Sequence, residues 1–179
     1  MRDSFRDLHS SLDCLQCEEN AFEQVKNLIS MSGMGKARLF FVGNGGSAAI
    51  ASHMAIDWLK NAEFPTFCFN DGPHLTCITN DLGYENSFWT PIDLHGQIGD
   101  VLFAISSSGQ SKNIISAVNA ARGKRMNVVS LTGFRPNNPL RAMGNVNFYI
   151  PSNSYGTVEI AHLAILHSIL DEVMADERT

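Results

Sequence analysis

The sequence predicts an α/β fold: a three-layer αβα sandwich around a five-stranded parallel sheet, with a helical extension at the N-terminus. Three observations carry this expectation. Five short apolar runs, at residues 38–42, 64–69, 101–106, 127–131 and 146–150, alternate with helical stretches. Those runs are near-continuously apolar rather than alternating, which suits parallel strands buried on both faces. No repeat, low-complexity tract or Ser/Pro-rich linker divides the 179 residues. The whole of 1–179 therefore reads as one domain, with 1–35 a helical N-terminal region and 36–179 the α/β core.

Taken in order, residues 4–31 carry Phe5, Leu8, Leu12 and Leu15, then Phe22, Val25, Leu28 and Ile29, at helical spacing. Gly33 and Gly35 end that helix or helix pair. Cys14 and Cys17 fall inside this pattern, with no second Cys-x-x-Cys and no following strand, so they read as ordinary helix residues. The run at 38–42 is followed by a helix at about 47–60, and the run at 101–106 by one at about 112–123. A long helix at 157–174 closes the chain.

Composition excludes several classes of partner. The chain is 44% hydrophobic and 17% charged, enough apolar content for a real core, and its net charge is −5. No basic block extends beyond residues 122–125, so no nucleic-acid partner is expected. No run approaches the roughly 18 apolar residues of a membrane span, and the N-terminus lacks the apolar stretch of a signal peptide. Four cysteines make no dense disulfide framework in a chain of this size. Reduced thiols in a cytoplasmic protein fit best.

Two strand ends carry loops of small, hydrogen-bonding residues. Gly43-Asn44-Gly45-Gly46-Ser47 follows the first strand, and Ser106-Ser107-Ser108-Gly109-Gln110-Ser111 follows the third. Strand, turn and helix N-terminus in succession aim backbone N–H groups and a positive dipole end at an anion. A tight turn capped by Ser47 explains the first loop adequately. It explains the second poorly, because a plain turn has no need of four serines in six residues, whose hydroxyls suit phosphate oxygens. Gly43-x-Gly45-x-x-Ala48 also matches a dinucleotide fingerprint. The nearest acidic partner, Asp71, lies 26 residues past Gly45 rather than about 20. No nucleotide cofactor is expected.

The ionisable residues form a second pattern. His53 and Asp57 are four apart on the helix after the glycine loop, and so share a face. Glu159, Leu163 and His167 fall on one stripe of the last helix, with His162 offset by about 60°. Two imidazoles and two carboxylates suit proton abstraction beside a carbonyl, and equally suit zinc or another divalent ion. Spacing alone does not choose between them.

With these residues, the chain resembles the sugar isomerase (SIS) domain family, specifically the phosphoheptose (sedoheptulose 7-phosphate) isomerases. The likeness runs through the glycine loop, Asn80-Asp81-x-Gly83, Gly99-Asp100-Val101-Leu102, the serine loop, Leu131-Thr132-Gly133 and the His-bearing last helix. It implies a SIS, flavodoxin-like fold and aldose–ketose isomerisation of a heptose 7-phosphate through an enediol, serving surface-polysaccharide heptose synthesis. It implies a cytoplasmic homotetramer with sites between subunits. Residue by residue, Ser106, Ser107, Ser108 and Ser111 match the family's phosphate cradle. Asn44, Gly45 and Ser47 match the substrate-binding loop, and Asp81 falls in the matching Asn-Asp motif. His167 matches the catalytic histidine, and His53 a histidine near a metal in some members. The chain departs from the pattern where Asp57 replaces the catalytic glutamate and Glu159 replaces a glutamine near the metal. An arginine after that glutamate is Asn61 here, and an Asp-Arg pair is Gly156-Thr157. The expected catalytic residues are Asp57, His167 and Glu159, and the expected zinc ligands are His53, Asp57, Glu159 and His167. A non-catalytic phosphosugar-binding regulator is the alternative expectation.

Overall fold

The computed structural model describes residues 2–15, 19–30 and 36–176. Its strands are β1 (Leu39–Val42), β2 (Thr66–Cys68), β3 (Val101–Ser106), β4 (Asn127–Thr132) and β5 (Val146–Tyr149). They form a single parallel sheet in the order β2-β1-β3-β4-β5. This is the flavodoxin-like order, and its topological switch point lies between β1 and β3. The three-layer α/β expectation holds. The helices are α1 (Arg2–Leu15), α2 (Glu19–Ser30), α3 (Gly46–Asn61), α4 (Gly72–Leu82), α5 (Trp89–His95), α6 (Lys112–Gly123) and α7 (Tyr155–Asp176).

Alternation along the strands sorts the core into two halves, because successive side chains point to opposite faces. Leu39, Phe41, Val101, Phe103 and Ile105 pack against α2, α3 and α7. Phe40, Val42, Leu102 and Ala104 pack on the other face, against α5 and α6. The inner strands are anchored across their pairing by stacked aromatic rings, Phe41 on Phe103 at 4.8 Å. Such a pair adds about 1 kcal/mol beyond its buried area.

The expectation that every strand is buried on both faces holds only for β1, β3 and β4, the last apart from its half-buried first residue. The edge strand β2 is half-buried throughout, and the other edge, β5, alternates buried and half-buried positions. An edge strand has a neighbour on one side only, so less of it is covered.

Helix α1 is tied to the start of α7 by one carboxylate. Asp7 accepts hydrogen bonds from Ser152 Oγ at 2.7 Å and Thr157 Oγ1 at 2.8 Å. Those donors hold its carboxyl below the ordinary aspartate range. Thr157, one of the departures from the family pattern, thus serves the fold. The helical N-terminal region expected from sequence is present in α1 and α2. Cys17, Gly33 and Gly35 lie outside the described residues, so the cysteine pair and the glycine stop are not addressed.

The segment between β2 and β3 is built differently. Asp71 caps α4, accepting from His74 N at 3.2 Å, and Pro73 stands in its first turn. Both are helix-start signals. Yet none of the α4 residues is buried. A short 3-10 turn (Tyr84–Asn86) and α5 then lead into β3.

Candidate active site

Both anion-type loops lie at the carboxyl ends of adjacent strands, flanking the switch point where ligands bind in open parallel sheets. The glycine loop follows β1, and its tight path needs its glycines. A Cβ at position 43 would collide with the Ser47 backbone, and Gly45 has φ 57°, a left-handed conformation. Gly46 opens α3 and is pressed by α7: a Cβ there would stand 2.6 Å from Glu159 Oε1. Gly45, the N-cap of α3, supplies no side-chain hydrogen bond, so the Glu159 carboxylate is the anion placed at that helix end.

The serine loop turns into α6 with its hydroxyls largely unspent. Ser106 Oγ donates to Ser111 Oγ at 3.3 Å, and Ser108 Oγ accepts from Gln110 N at 3.2 Å. Ser107 Oγ is buried without a hydrogen-bond partner. A buried hydroxyl left unpaired costs about 1–3 kcal/mol, and a bound ligand oxygen would relieve that cost. Gly109, at φ 61°, admits the Asn138 side chain where a Cβ would sit.

The two loops enclose a cleft of about 270 Å³. Gly45, Ser47, Ser106, Ser107, Ser108 and Ser111 all line it, so six of the sequence-predicted binding residues converge. Asn44 also lines it, but its amide is already engaged. Asn44 Nδ2 donates to Asn113 Oδ1 at 2.9 Å, and Asn113 Nδ2 donates back to Asn44 Oδ1 at 2.9 Å. The Tyr84 hydroxyl adds a donation to Asn44 Oδ1 at 2.8 Å. Asn44 is thus a clamp between α6 and the 3-10 turn, and it orients the loop. Asp81 is not brought to the cleft: it is exposed on α4 and accepts from Asn80 Nδ2 at 2.7 Å.

The titratable residues split into two groups. Among the described residues, His53, Asp57 and His167 offer ligand atoms that all lie within 4.8 Å of one another. His53 Nε2 is 3.2 Å from His167 Nε2 and 3.4 Å from Asp57 Oδ2, and His167 Nδ1 is 3.9 Å from the same oxygen. Two imidazoles and a carboxylate match the three-ligand set of a catalytic zinc. Glu159, expected as a fourth ligand, lies instead in the cleft. Eight residues separate it from His167, about 12 Å along the α7 axis. His162 turns away from both groups: it is fully buried, and its Nε2 donates to the Thr132 carbonyl at 3.2 Å. Burial pushes its pKa down to about 4, so it is neutral at physiological pH.

Sequence reasoning missed Asn113, Tyr84 and Tyr155. Tyr155 lines the cleft from the start of α7. Asn113 is 1% exposed, and a buried amide in the first turn of an apolar helix was the available signal.

The comparisons with known proteins agree with this geometry. The SIS domain family model matches residues 5–133. A phosphoheptose isomerase of Haemophilus ducreyi is 35% identical over 80% of this chain and 76% of its own length. One of Shewanella frigidimarina is 32% identical over 97% of this chain and 92% of its own. The solved phosphoheptose isomerase of Neisseria gonorrhoeae superposes with a TM-score of 0.84 at 30% identity, covering 96% of this chain and 93% of that one. The chain belongs to the SIS domain family and, within it, to the phosphoheptose isomerases.

Proposed function

We propose that the protein interconverts sedoheptulose 7-phosphate and an aldoheptose 7-phosphate. What carries the reading is the serine-lined cleft at the switch point, beside a His–Asp–His cluster, in a chain whose relatives over nearly its full length are phosphoheptose isomerases. The phosphate sits on the serine loop and the α6 N-terminus, held by neutral donors. The spacing along α7 suits the length of the substrate. About 12 Å of helix between Glu159 and His167 compares with roughly 10 Å for an extended seven-carbon phosphate, a dozen-odd bonds and angles of ordinary geometry.

At the reacting end, Asp57 removes the proton from C1 of the ketose. The electron pair forms the enediol, and the Asp57 carboxyl, after exchanging its proton with water, delivers a proton to C2 to give the aldose. His167 moves the second proton, from the C1 oxygen to the C2 oxygen, with His53 at 3.2 Å to share its charge. The donor set of His53, Asp57 and His167 also fits zinc, which would polarise the substrate oxygens when bound.

Assembly as a homo-oligomer, a tetramer by family pattern, is part of the same proposal. Ile56, Leu59 and Ile160 are exposed large apolar side chains on α3 and α7, the helices that carry the cluster. A groove of about 860 Å³ runs between α2 and α7, lined by Leu12, Phe22 and Ile165. We also place the protein in the cytoplasm, supported by free thiols at Cys68 and Cys77. No described helix is long and apolar enough to cross a membrane.

Incubation with sedoheptulose 7-phosphate in D₂O, followed by NMR, tests the reaction. Interconversion with deuterium entering C2 of the product is expected, because an enediol exchanges its proton with solvent. No interconversion would withdraw the proposal. Elemental analysis of protein purified without chelator tests the zinc, and light scattering tests the assembly.

A further inference from the structure

Two helix N-termini open onto one small cleft, and the chain treats them differently. At α6 the N-cap Ser111 makes no capping hydrogen bond, and Ser107 Oγ is buried and unpartnered. That end presents uncommitted donors that suit an anion. At α3 the N-cap Gly45 has no side chain to offer, and the Glu159 carboxylate lies against Gly46. A carboxylate of the chain itself therefore already stands beside that end. Each N-terminus carries about half a positive charge, so each suits one anionic group.

We infer that Glu159 sets the specificity of the cleft, restricting it to ligands with one anionic group and an uncharged hydroxyl-bearing remainder. The inference rests on reading the cleft as a phosphosugar site and concerns which phosphosugars enter it. No lysine or arginine is found among the described residues lining the cleft, so nothing there offsets a second negative charge. A space of 270 Å³ is about 8 Å across, so two charges inside it stand within about one Debye length (~8 Å at physiological ionic strength), and salt screens their repulsion only in part. A phosphate on the serine loop excludes a second phosphate or a carboxylate from the α3 end, where the Glu159 charge already stands. Sugar hydroxyls meet the opposite treatment. They donate hydrogen bonds, and an ionised carboxylate accepts them on two oxygens. Where the family pattern has a neutral amide, which both donates and accepts, this chain has an acceptor with a charge.

Isothermal titration calorimetry on the full-length protein tests this with two ligands short enough to lie within the cleft: glycerol 3-phosphate, a monophosphate with uncharged hydroxyls, and 3-phosphoglycerate, which adds a carboxylate. The wild type should bind the monophosphate glycerol 3-phosphate at least tenfold more tightly than 3-phosphoglycerate. Glu159→Gln, which keeps the volume and removes the charge, should shrink that ratio at least tenfold. Glu159→Ala should shrink it likewise, and circular dichroism would verify that each variant is folded. Equal binding of the two ligands by the wild type, or a ratio unchanged in both variants, overturns the inference. Ser108→Ala with Ser111→Ala separates this from failure of the underlying reading. If that double variant binds the monophosphate undiminished, the serine loop is not the cradle, and the reading of the cleft falls together with the inference. If it weakens both ligands in parallel, the cradle stands and the ratio alone decides about Glu159.

Discussion

The two ends of the proposed site are made from opposite materials. The cleft between β1 and β3 is lined by serine hydroxyls and the backbone of two helix N-termini, with Glu159 its one acidic side chain among the described residues. The cluster of His53, Asp57 and His167 is made entirely of titratable groups, half-open to solvent: His53 is 48% exposed, His167 39% and Asp57 23%. Neutral donors hold an anion with the same geometry at any pH, so they suit the phosphate, which must stay put. Titratable groups near water change their proton count easily, so they suit the carbons and oxygens between which protons move. Holding and reacting are therefore separable by mutation.

The sharpest separation comes from His167. Loss of general acid–base assistance typically costs 10²–10⁴-fold, so His167→Gln should lower turnover on the order of 10³-fold. Stabilisation of the protein by added phosphate, read as a thermal shift, should persist. A loss of both would show that the two ends are one unit.

His162 tests whether a histidine on the same helix behaves differently when buried. Its folded pKa of about 4 lies below the unfolded value of 6.5, so the unfolded chain binds the extra proton between those limits. Stability from this group is present in full above pH 6.5 and is lost as pH falls toward 4. The loss amounts to about 3 kcal/mol. Urea unfolding at pH 7.5 and pH 4 should show this slope in the wild type and a flatter one in His162→Gln.

Ser108→Ala with Ser111→Ala comes next in size. Each hydrogen bond to a charged oxygen contributes about 1.5 kcal/mol or more, so KM for the sugar phosphate should rise about 10²-fold. Metal content, if the cluster holds zinc, should be unchanged. The smallest effect is expected at Gly46. Gly46→Ala places a methyl where the Glu159 carboxylate lies and should cost about 1–2 kcal/mol of stability. In a Glu159→Ala background most of that cost should vanish, a coupling that a double-mutant cycle measures.

How much of this was legible in the sequence follows from how local each feature is. The inner strands read clearly because burial on both faces leaves an unbroken apolar run, as in Val101–Ser106. Helix α6 was placed at its observed bounds because its loop and its apolar positions agree. Helix α4 was missed although Asp71 and Pro73 announce it and Leu75, Ile78 and Leu82 fall at helical spacing, because an eleven-residue helix with no fully buried residue shows only this short apolar stripe. The two loops were legible for the same reason as α6: strand, turn and helix N-terminus are adjacent in the chain. The Asn44–Asn113 clamp was not, since its partners stand 69 residues apart and meet only when β1 and β3 pair. The separation of Glu159 from His167 lay between these cases. Helical period puts them on one stripe, while helical rise keeps them about 12 Å apart.

The shallow seating of α4 bears on hydrogen exchange. Amides in β3 and β4 are held by paired strands with buried side chains and exchange only through global unfolding. Those of α4 belong to a helix with no fully buried residue, seated mainly by half-buried Leu75 and His74, so residues 72–82 should exchange orders of magnitude faster under native conditions. Tyr84 stands two residues past that helix and donates to Asn44. Each opening of α4 that extends to the 3-10 turn releases the glycine loop from one of its two clamps. A ligand in the cleft should then slow exchange in α4, a helix that does not line it.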